Sequence, residues 1–269
     1  MAKQQVKKFR KSAPGKHQLN WLWGASSVFE TLSIGRWRVY EVYVTAEIFE
    51  SNAELLKSKQ KDGVELEVVS NAKLEDLAQT PDHQGIVARV SKYPYQSLES
   101  LEAKGLTVSE KLDSNQAQPL LVIIDRIQDT FNFASILRCC QHVGVQAVIV
   151  GEFCQSQVTT QIARASVGAV NHFPIIQSPD LVAAVTKVKK LGFKFIALGS
   201  QASQAVCDAS FKSPIALIIG GDAHSLDPAL LQLCDQQVSI PMLGPKTSLN
   251  SAVSAGILLY EVRRQQRGE

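Results

Sequence analysis

Apolar and polar residues follow two different rhythms along this chain. Between residues 19 and 92 the apolar stretches are short and amphipathic. "WGASSVFETL" (23–32) predicts a helix, "RVYEVYV" (38–44) a strand of period two and "SNAELLKSKQ" (51–60) a second helix. "VELEVV" (64–69) then reads as a strand, "NAKLEDLAQ" (71–79) as a helix and "GIVARV" (85–90) as a last strand. This is a small α/β unit over residues 18–92. "SLESLEAK" (97–104) can form a short helix, and the polar "GLTVSEKLDSNQAQP" (105–119) ends in proline. Residues 93–118 therefore read as a linker.

From residue 119 the rhythm becomes strand–helix alternation. "PLLVIID" (119–125) is nearly continuous in apolar residues, as expected of a parallel strand covered on both faces. "NFASILRCCQHVG" (132–144) predicts a helix stopped by Gly144, and "VQAVIV" (145–150) the next strand. Further strands are expected at "HFPII", "FKFIALG", "IALIIGG" and "QVSIP", with helices around 156–166, 180–191, 227–234 and 248–265. Residues 119–269 thus form a parallel α/β domain.

Composition narrows the class. A chain of 269 residues with 45% apolar and 20% charged content is ordinary for a globular protein. No apolar run approaches the ~20 residues that span a bilayer. The basic N-terminus has no apolar core behind it, so it does not read as a secretory signal, and a cytoplasmic location is expected. Five cysteines in mostly apolar segments, with no C-x-x-C pair, read as buried free thiols, with no metal site expected. Residues 1–16 hold six basic residues and no acidic one; of the 28 basic residues, 22 remain to face all 25 acidic ones. A basic arm (1–17) on a mildly acidic body suits an anionic partner such as RNA, and equally a solubilising tail.

Three stretches carry candidate chemistry. In "IDRIQDTFNFASILR" (124–138) a strand ends at Asp125, Asn132 can cap the coming helix, and Arg138 points away from its apolar face. Ligands of open α/β sheets gather outside the carboxyl ends of the strands, within reach of Arg138. By spacing alone, an arginine on a solvated surface describes it better. In "IALIIGGDAHSLDPALL" (215–231) a buried strand runs into Gly220 and Gly221, and a helix starts after Asp227 with Pro228 at its first position. Those glycines suit a close-approaching ligand or a tight turn. No G-x-G-x-x-G or phosphate-loop pattern occurs. In "IPMLGPKTSLNSAVSAG" (240–256), Ser248 or Asn250 can cap a helix with a small-residue face, able to pack on another helix or a second subunit.

Taken in order, these stretches resemble the three motifs of the SpoU (TrmH) family of RNA 2′-O-ribose methyltransferases, within the SPOUT class. The resemblance rests on Asn132 and Arg138, on Gly220 ending an apolar strand, and on I-P-M-x-G-x-x-x-S-L-N from Ile240 to Asn250. Residues 18–92 resemble the small ribosomal-protein-like RNA-binding domain of many members. "HQGIVA" (83–88) resembles the bacterial subgroup that methylates a guanosine of large-subunit ribosomal RNA.

The resemblance implies a SPOUT-type parallel sheet with a C-terminal trefoil knot formed by residues 215–260. It implies a homodimer, with the small-residue face of the last helix and the helix after the first motif as contact surfaces. It implies S-adenosylmethionine held by the backbone of Gly220, Ile240, Leu249, Leu198 and Gly199. Arg138, Asn132, Ser248 and Asn250 are implied as catalytic, with Asn132 orienting the arginine. Because a guanidinium normally stays protonated, Arg138 is weighed both as a base and as an electrostatic clamp. Two positions depart from the family: Asp222 where Glu is usual and Ser225 where Gly is usual. The expected function is 2′-O-methylation of a guanosine in 23S (large-subunit) ribosomal RNA. The alternatives are a transfer RNA target or a non-catalytic RNA-binding relative in ribosome assembly.

Overall fold

A computed structural model describes residues 20–103, 118–199, 202–221, 226–244 and 249–267. The basic arm, most of the polar stretch after residue 103, Asp222, Ser225 and Ser248 lie outside these residues. The chain divides into two compact units at Pro94/Tyr95.

In the first unit, strands β1 (Asn20–Trp23), β2 (Val39–Val44), β3 (Glu65–Val68) and β4 (Ile86–Val90) lie in the order β1-β4-β2-β3. β4 is antiparallel to both neighbours, and β2 is parallel to β3. Helices α1 (Ala25–Ile34), α2 (Ala46–Ser51), α3 (Ala53–Lys61) and α4 (Asn71–Ala78) alternate with them. β1 and α2 were not expected from the sequence, and Trp23 belongs to β1 rather than to the helix. Gly24 hides that boundary: at φ 92° it starts α1 without a side-chain cap. The cap comes from far downstream, where Gln84 Oε1 accepts the Ala25 N–H at 2.8 Å. The neighbouring His83 is buried, and its Nδ1 accepts the Gly85 N–H at 3.0 Å. "HQG" is therefore a turn-and-cap device of this unit.

In the second unit, β5 (Leu120–Asp125), β6 (Ala147–Gly151), β7 (Ile175–Ser178), β8 (Lys194–Leu198), β9 (Ile215–Gly220) and β10 (Gln236–Val238) form one sheet, ordered β10-β8-β9-β5-β6-β7. Every pairing is parallel. The helices are α5 (Glu99–Ala103), α6 (Thr130–His142), α7 (Thr160–Ala165), α8 (Leu181–Lys189), α9 (Pro228–Leu233) and α10 (Ser251–Arg267). β5 is buried at all six positions, which explains its unbroken apolar run. The unit begins before the expected boundary, because the Gln96 N–H already donates to Ile175 O at 3.0 Å.

Two further expectations change. The helix expected over 156–166 is confined to α7. Residues ahead of it are held as a loop, with the Gln157 side chain donating to Glu152 O and Gln155 O, and the Val158 N–H donating to the Tyr95 hydroxyl at 2.7 Å. All five cysteines are free, but only Cys140 is buried, while Cys154 and Cys207 are exposed. Each of the exposed pair sits in a connection between strands, Cys154 with φ 55°.

α6 and α10 pack on each other and are clamped at both ends. Near the C-terminus of α10, the buried Arg263 donates from Nε to Val143 O (2.6 Å) and from Nη2 to Gly144 O (2.8 Å), filling the open carbonyls at the end of α6. Between the ends, a Cβ added to Gly256 would lie 3.7 Å from Cys139 Sγ. Ser251, Ser254 and Ala255 are buried. The small residues of α10 thus serve packing within the chain. The face left exposed is Val253, Ile257 and Tyr260.

Candidate active site

The site is built at the carboxyl edge of the parallel sheet. Because β10, β8 and β9 are adjacent and parallel, Leu198 and Gly199 after β8, Gly220 at the end of β9, and Ile240 beyond β10 emerge side by side. All four are partly buried. Leu249, exposed, lies two residues before Ser251, the first residue of α10.

Of the two reasons expected for Gly221, a ligand or a tight turn of the chain, the geometry favours the chain. A Cβ on it would sit 2.5 Å from the Arg126 carbonyl oxygen, so the close neighbour is the chain itself. Arg126 has φ 57°, a left-handed conformation uncommon outside Gly, Asn and Asp. Its guanidinium is paired with the buried Asp125 carboxylate at 3.0 Å, which also accepts the Asp227 N–H at 2.9 Å. Asp125 therefore ties the end of β5 to the start of α9, where Asp227 and Pro228 act as the expected cap and first residue.

Asn132 is not the N-cap of α6. Asp129 is, its Oδ1 accepting the Asn132 N–H at 2.7 Å. The Asn132 side chain turns elsewhere, and its Oδ1 accepts Asn250 Nδ2 at 3.0 Å. Asn250 in turn caps α10: its Oδ1 accepts the N–H groups of Ala252 (3.0 Å) and Val253 (3.2 Å). Both amide ends of Asn250 are committed, one to its own helix and one to the first motif.

Arg138 lies on the same helix as Asn132, but about 9 Å along the axis and roughly a third of a turn around it. It is exposed and makes no hydrogen bond or ion pair with the described residues. Direct orientation of Arg138 by Asn132 is therefore not what the geometry provides. Arg138 instead shares an exposed stripe with Phe131 and Ser135. Next to it, burial pushes the Cys139 thiol up and the Arg138 charge opposes that shift.

Arg126, Phe131 and Phe153 also follow strand ends at this edge of the sheet and were not singled out from the sequence. Phe131 (65% exposed) and Phe153 (68% exposed) are large rings in water near the site. A phenylalanine inside an apolar-rich stretch gives no sign of pointing outward until the helix phase is known. Among the described residues, no group of three or more His, Cys, Asp or Glu is arranged to hold a metal ion. No described helix is long and apolar enough to cross a membrane.

Comparison with known proteins agrees with this architecture. Residues 119–260 match the SpoU rRNA Methylase family, and residues 21–96 match the RNA 2′-O ribose methyltransferase substrate-binding domain. The fold is that of the SpoU methyltransferase AviRb from Streptomyces viridochromogenes, solved in complex with AdoMet, at a TM-score of 0.75 and 23% identity over 100% of both chains. The TrmH-family protein YacO of Bacillus subtilis (strain 168) is 28% identical over 93% of this chain and 97% of its own length. The 23S rRNA (guanosine-2′-O-)-methyltransferase RlmB of Ralstonia nicotianae is 32% identical over 79% of this chain and 82% of its own. The chain belongs to the SpoU rRNA methylase family and is by that membership an RNA methyltransferase.

Proposed function

We propose that this protein transfers a methyl group from S-adenosylmethionine to the ribose 2′-hydroxyl of a guanosine in 23S ribosomal RNA. The observation that carries the reading is the Asn250–Asn132 hydrogen bond, which joins the first and third motifs at the edge where a cofactor can lie.

The residues present fit that cofactor. Three neighbouring strands end side by side at partly buried residues, and Leu198 and Ile240 offer apolar contact for a purine. Gly220, Ile240, Leu249, Leu198 and Gly199 would hold it through main-chain groups, in a pocket closed by the knot expected over 215–260. When bound, the cofactor supplies an electrophilic methyl on a sulfonium. The 2′-oxygen would take the methyl while the sulfonium leaves as a neutral thioether, and the hydroxyl proton would pass to water. Arg138, charged and uncommitted within the described residues, stabilises the developing alkoxide electrostatically. Asn132 and Asn250, locked together, place the ribose with Ser248. The RNA is held by phosphate contacts and shape through the first unit and the basic arm.

The active form in this reading is a cytoplasmic homodimer. Support for the dimer comes from the exposed row Val253 (51%), Ile257 (38%) and Tyr260 (65%) on α10. A contiguous apolar strip of this kind suits burial against a second copy.

The test is methyl transfer from labelled S-adenosylmethionine to unmodified large-subunit ribosomal RNA and to transfer RNA in parallel, with the label then located by nucleoside analysis. 2′-O-methylguanosine in ribosomal RNA is expected. Label only in transfer RNA would overturn the target and keep the chemistry. Cofactor binding with no transfer to RNA or to ribosomal particles would leave a binding protein.

A further inference from the structure

Phe131 and Phe153 are held out into water by structure, not by looseness. Their loops leave adjacent strands, β5 and β6, at the same edge of the sheet. The loops are bonded to each other: the Ile127 N–H donates to Gln155 Oε1 at 2.9 Å and the Ser156 N–H donates to Ile127 O at 2.9 Å. Gln155 is buried. On the two sides of Phe153, the Glu152 N–H donates to Ser178 O at 2.9 Å and Cys154 adopts φ 55°. Phe131 is fixed in the first turn of α6, one residue from Asn132. These bonds fix the backbone that carries both rings.

The surroundings of the rings select the kind of partner. Phe131, Ser135 and Arg138 share one exposed helix stripe, so a ring and a guanidinium flank a small polar residue that leaves space between them. Arg126, in the loop that leads to Phe131, is already paired with Asp125, so the cation available beside the ring is Arg138. Flat apolar faces interleaved with cationic groups suit an unstacked nucleic-acid strand, whose bases stack on aromatics while its phosphates meet the cations.

We propose that Phe131 and Phe153 form a stacking platform for nucleobases at or next to the methylated nucleotide, holding the strand splayed so that its ribose faces Asn132 and Arg138. The proposal rests on the reading of this site as an RNA ribose methyltransferase. It adds that the accepted substrate is a locally unpaired segment, gripped through ring faces and not through base-edge hydrogen bonds.

The experiment compares wild type with Phe131→Ala, Phe153→Ala and, at each position, the Leu and Tyr variants. One assay follows methyl transfer to a large-subunit ribosomal RNA transcript. The other follows fluorescence quenching of a single-stranded oligoribonucleotide of about 12 nucleotides containing 2-aminopurine. Each alanine variant is expected to weaken RNA binding by about 5- to 150-fold, seen as a raised KM for RNA and as lost quenching. The cofactor Kd should not change. Tyr should restore the wild-type values and Leu should not, since stacking needs a ring and not merely apolar area. Unchanged KM and quenching in the alanine variants would overturn the proposal while leaving the methyltransferase reading intact. Full rescue by Leu would also overturn it, as would dissociation of a dimer by the alanine variants in sedimentation, which would assign the rings to a subunit interface. If wild type transfers no methyl yet quenches 2-aminopurine in a ring-dependent way, the platform stands and the methyltransferase reading fails. If wild type does neither, the platform is rejected.

Discussion

Asn250 Nδ2 donates to Asn132 Oδ1 at 3.0 Å across 118 positions of sequence, while the other end of the same amide caps α10. A single side chain thus starts one helix and fixes a group on another. The two roles separate by mutation. Asn250→Ala loses both the cap and the link and should cost about 1–2 kcal/mol of stability. Asn132→Ala loses the link at an exposed partner but keeps the cap, and should cost about 1 kcal/mol less. Both should depress methyl transfer. Urea unfolding beside transfer assays checks the order; equal stability losses would show that the cap is not what Asn250 contributes.

Arg138 is exposed, with no hydrogen bond or ion pair among the described residues, so the fold gains little from its side chain. Arg138→Ala should stay within about 0.5 kcal/mol of wild type in unfolding. Cofactor affinity should hold, and transfer should fall by about 100-fold or more, as when one preorganised hydrogen-bond donor is removed from an acyl-transfer site. Arg138→Lys keeps the charge and should retain measurable transfer. An inactive lysine variant that binds RNA normally would point to the planar guanidinium as the required feature.

The two edge glycines Gly221 and Gly244 differ. A Cβ at Gly221 meets the Arg126 carbonyl at 2.5 Å, backbone against backbone, whereas one at Gly244 meets nothing within 4 Å among the described residues. Gly221→Ala should lose roughly 1–3 kcal/mol and reduce cofactor binding, since the end of β9 must shift. Gly244→Ala should unfold like wild type. If it nevertheless loses cofactor affinity by calorimetry, the glycine of the third motif serves the ligand and not the fold.

Much of this was legible in the sequence where one local rule governs. β5 and β9 are buried on both faces, and their unbroken apolar runs say so. Pro228 after Asp227 marks α9 for the same reason. What failed depended on distant partners. The start of α1 is capped by Gln84, far along the chain, so Gly24 gives no helix signal. Asn132 looked like a cap because its partner Asn250 lies in another motif. The third-motif residues were readable only by resemblance, since Ser-Leu-Asn before a helix is an ordinary cap on its own terms.

Asp235 gives a pH signature in the second unit. Burial would raise its carboxyl, but the Lys189 ammonium at 2.8 Å and the Phe195 N–H at 2.8 Å outweigh that and hold it below the usual range. A group depressed in the folded state stabilises above its unfolded value, about 4, and loses that contribution as pH falls through the folded value. Asp235→Asn should therefore be less stable than wild type at neutral pH, with the gap closing on acidification. A gap that stays constant from neutral to strongly acid pH would show that the hydrogen bonds, and not the charge, matter.

The homodimer is testable through α10 alone. Its small residues are spent against α6, where Gly256 faces Cys139, so the remaining contact surface is Val253, Ile257 and Tyr260. Ile257, 38% exposed, sits in the middle of that row. Ile257→Glu puts a charge where a second copy would bury apolar surface, and an unpaired buried charge costs several kcal/mol. On the protein's own helix Ile257 is only 38% exposed, so the same change should also cost roughly 1–2 kcal/mol in unfolding of the isolated chain, too little to abolish the fold. Sedimentation should therefore show a monomer with an intact fold, and transfer should fall with it if the site is completed across the interface. A dimer that survives Ile257→Glu would remove α10 from the interface; a monomer with full activity would show that each chain holds a complete site.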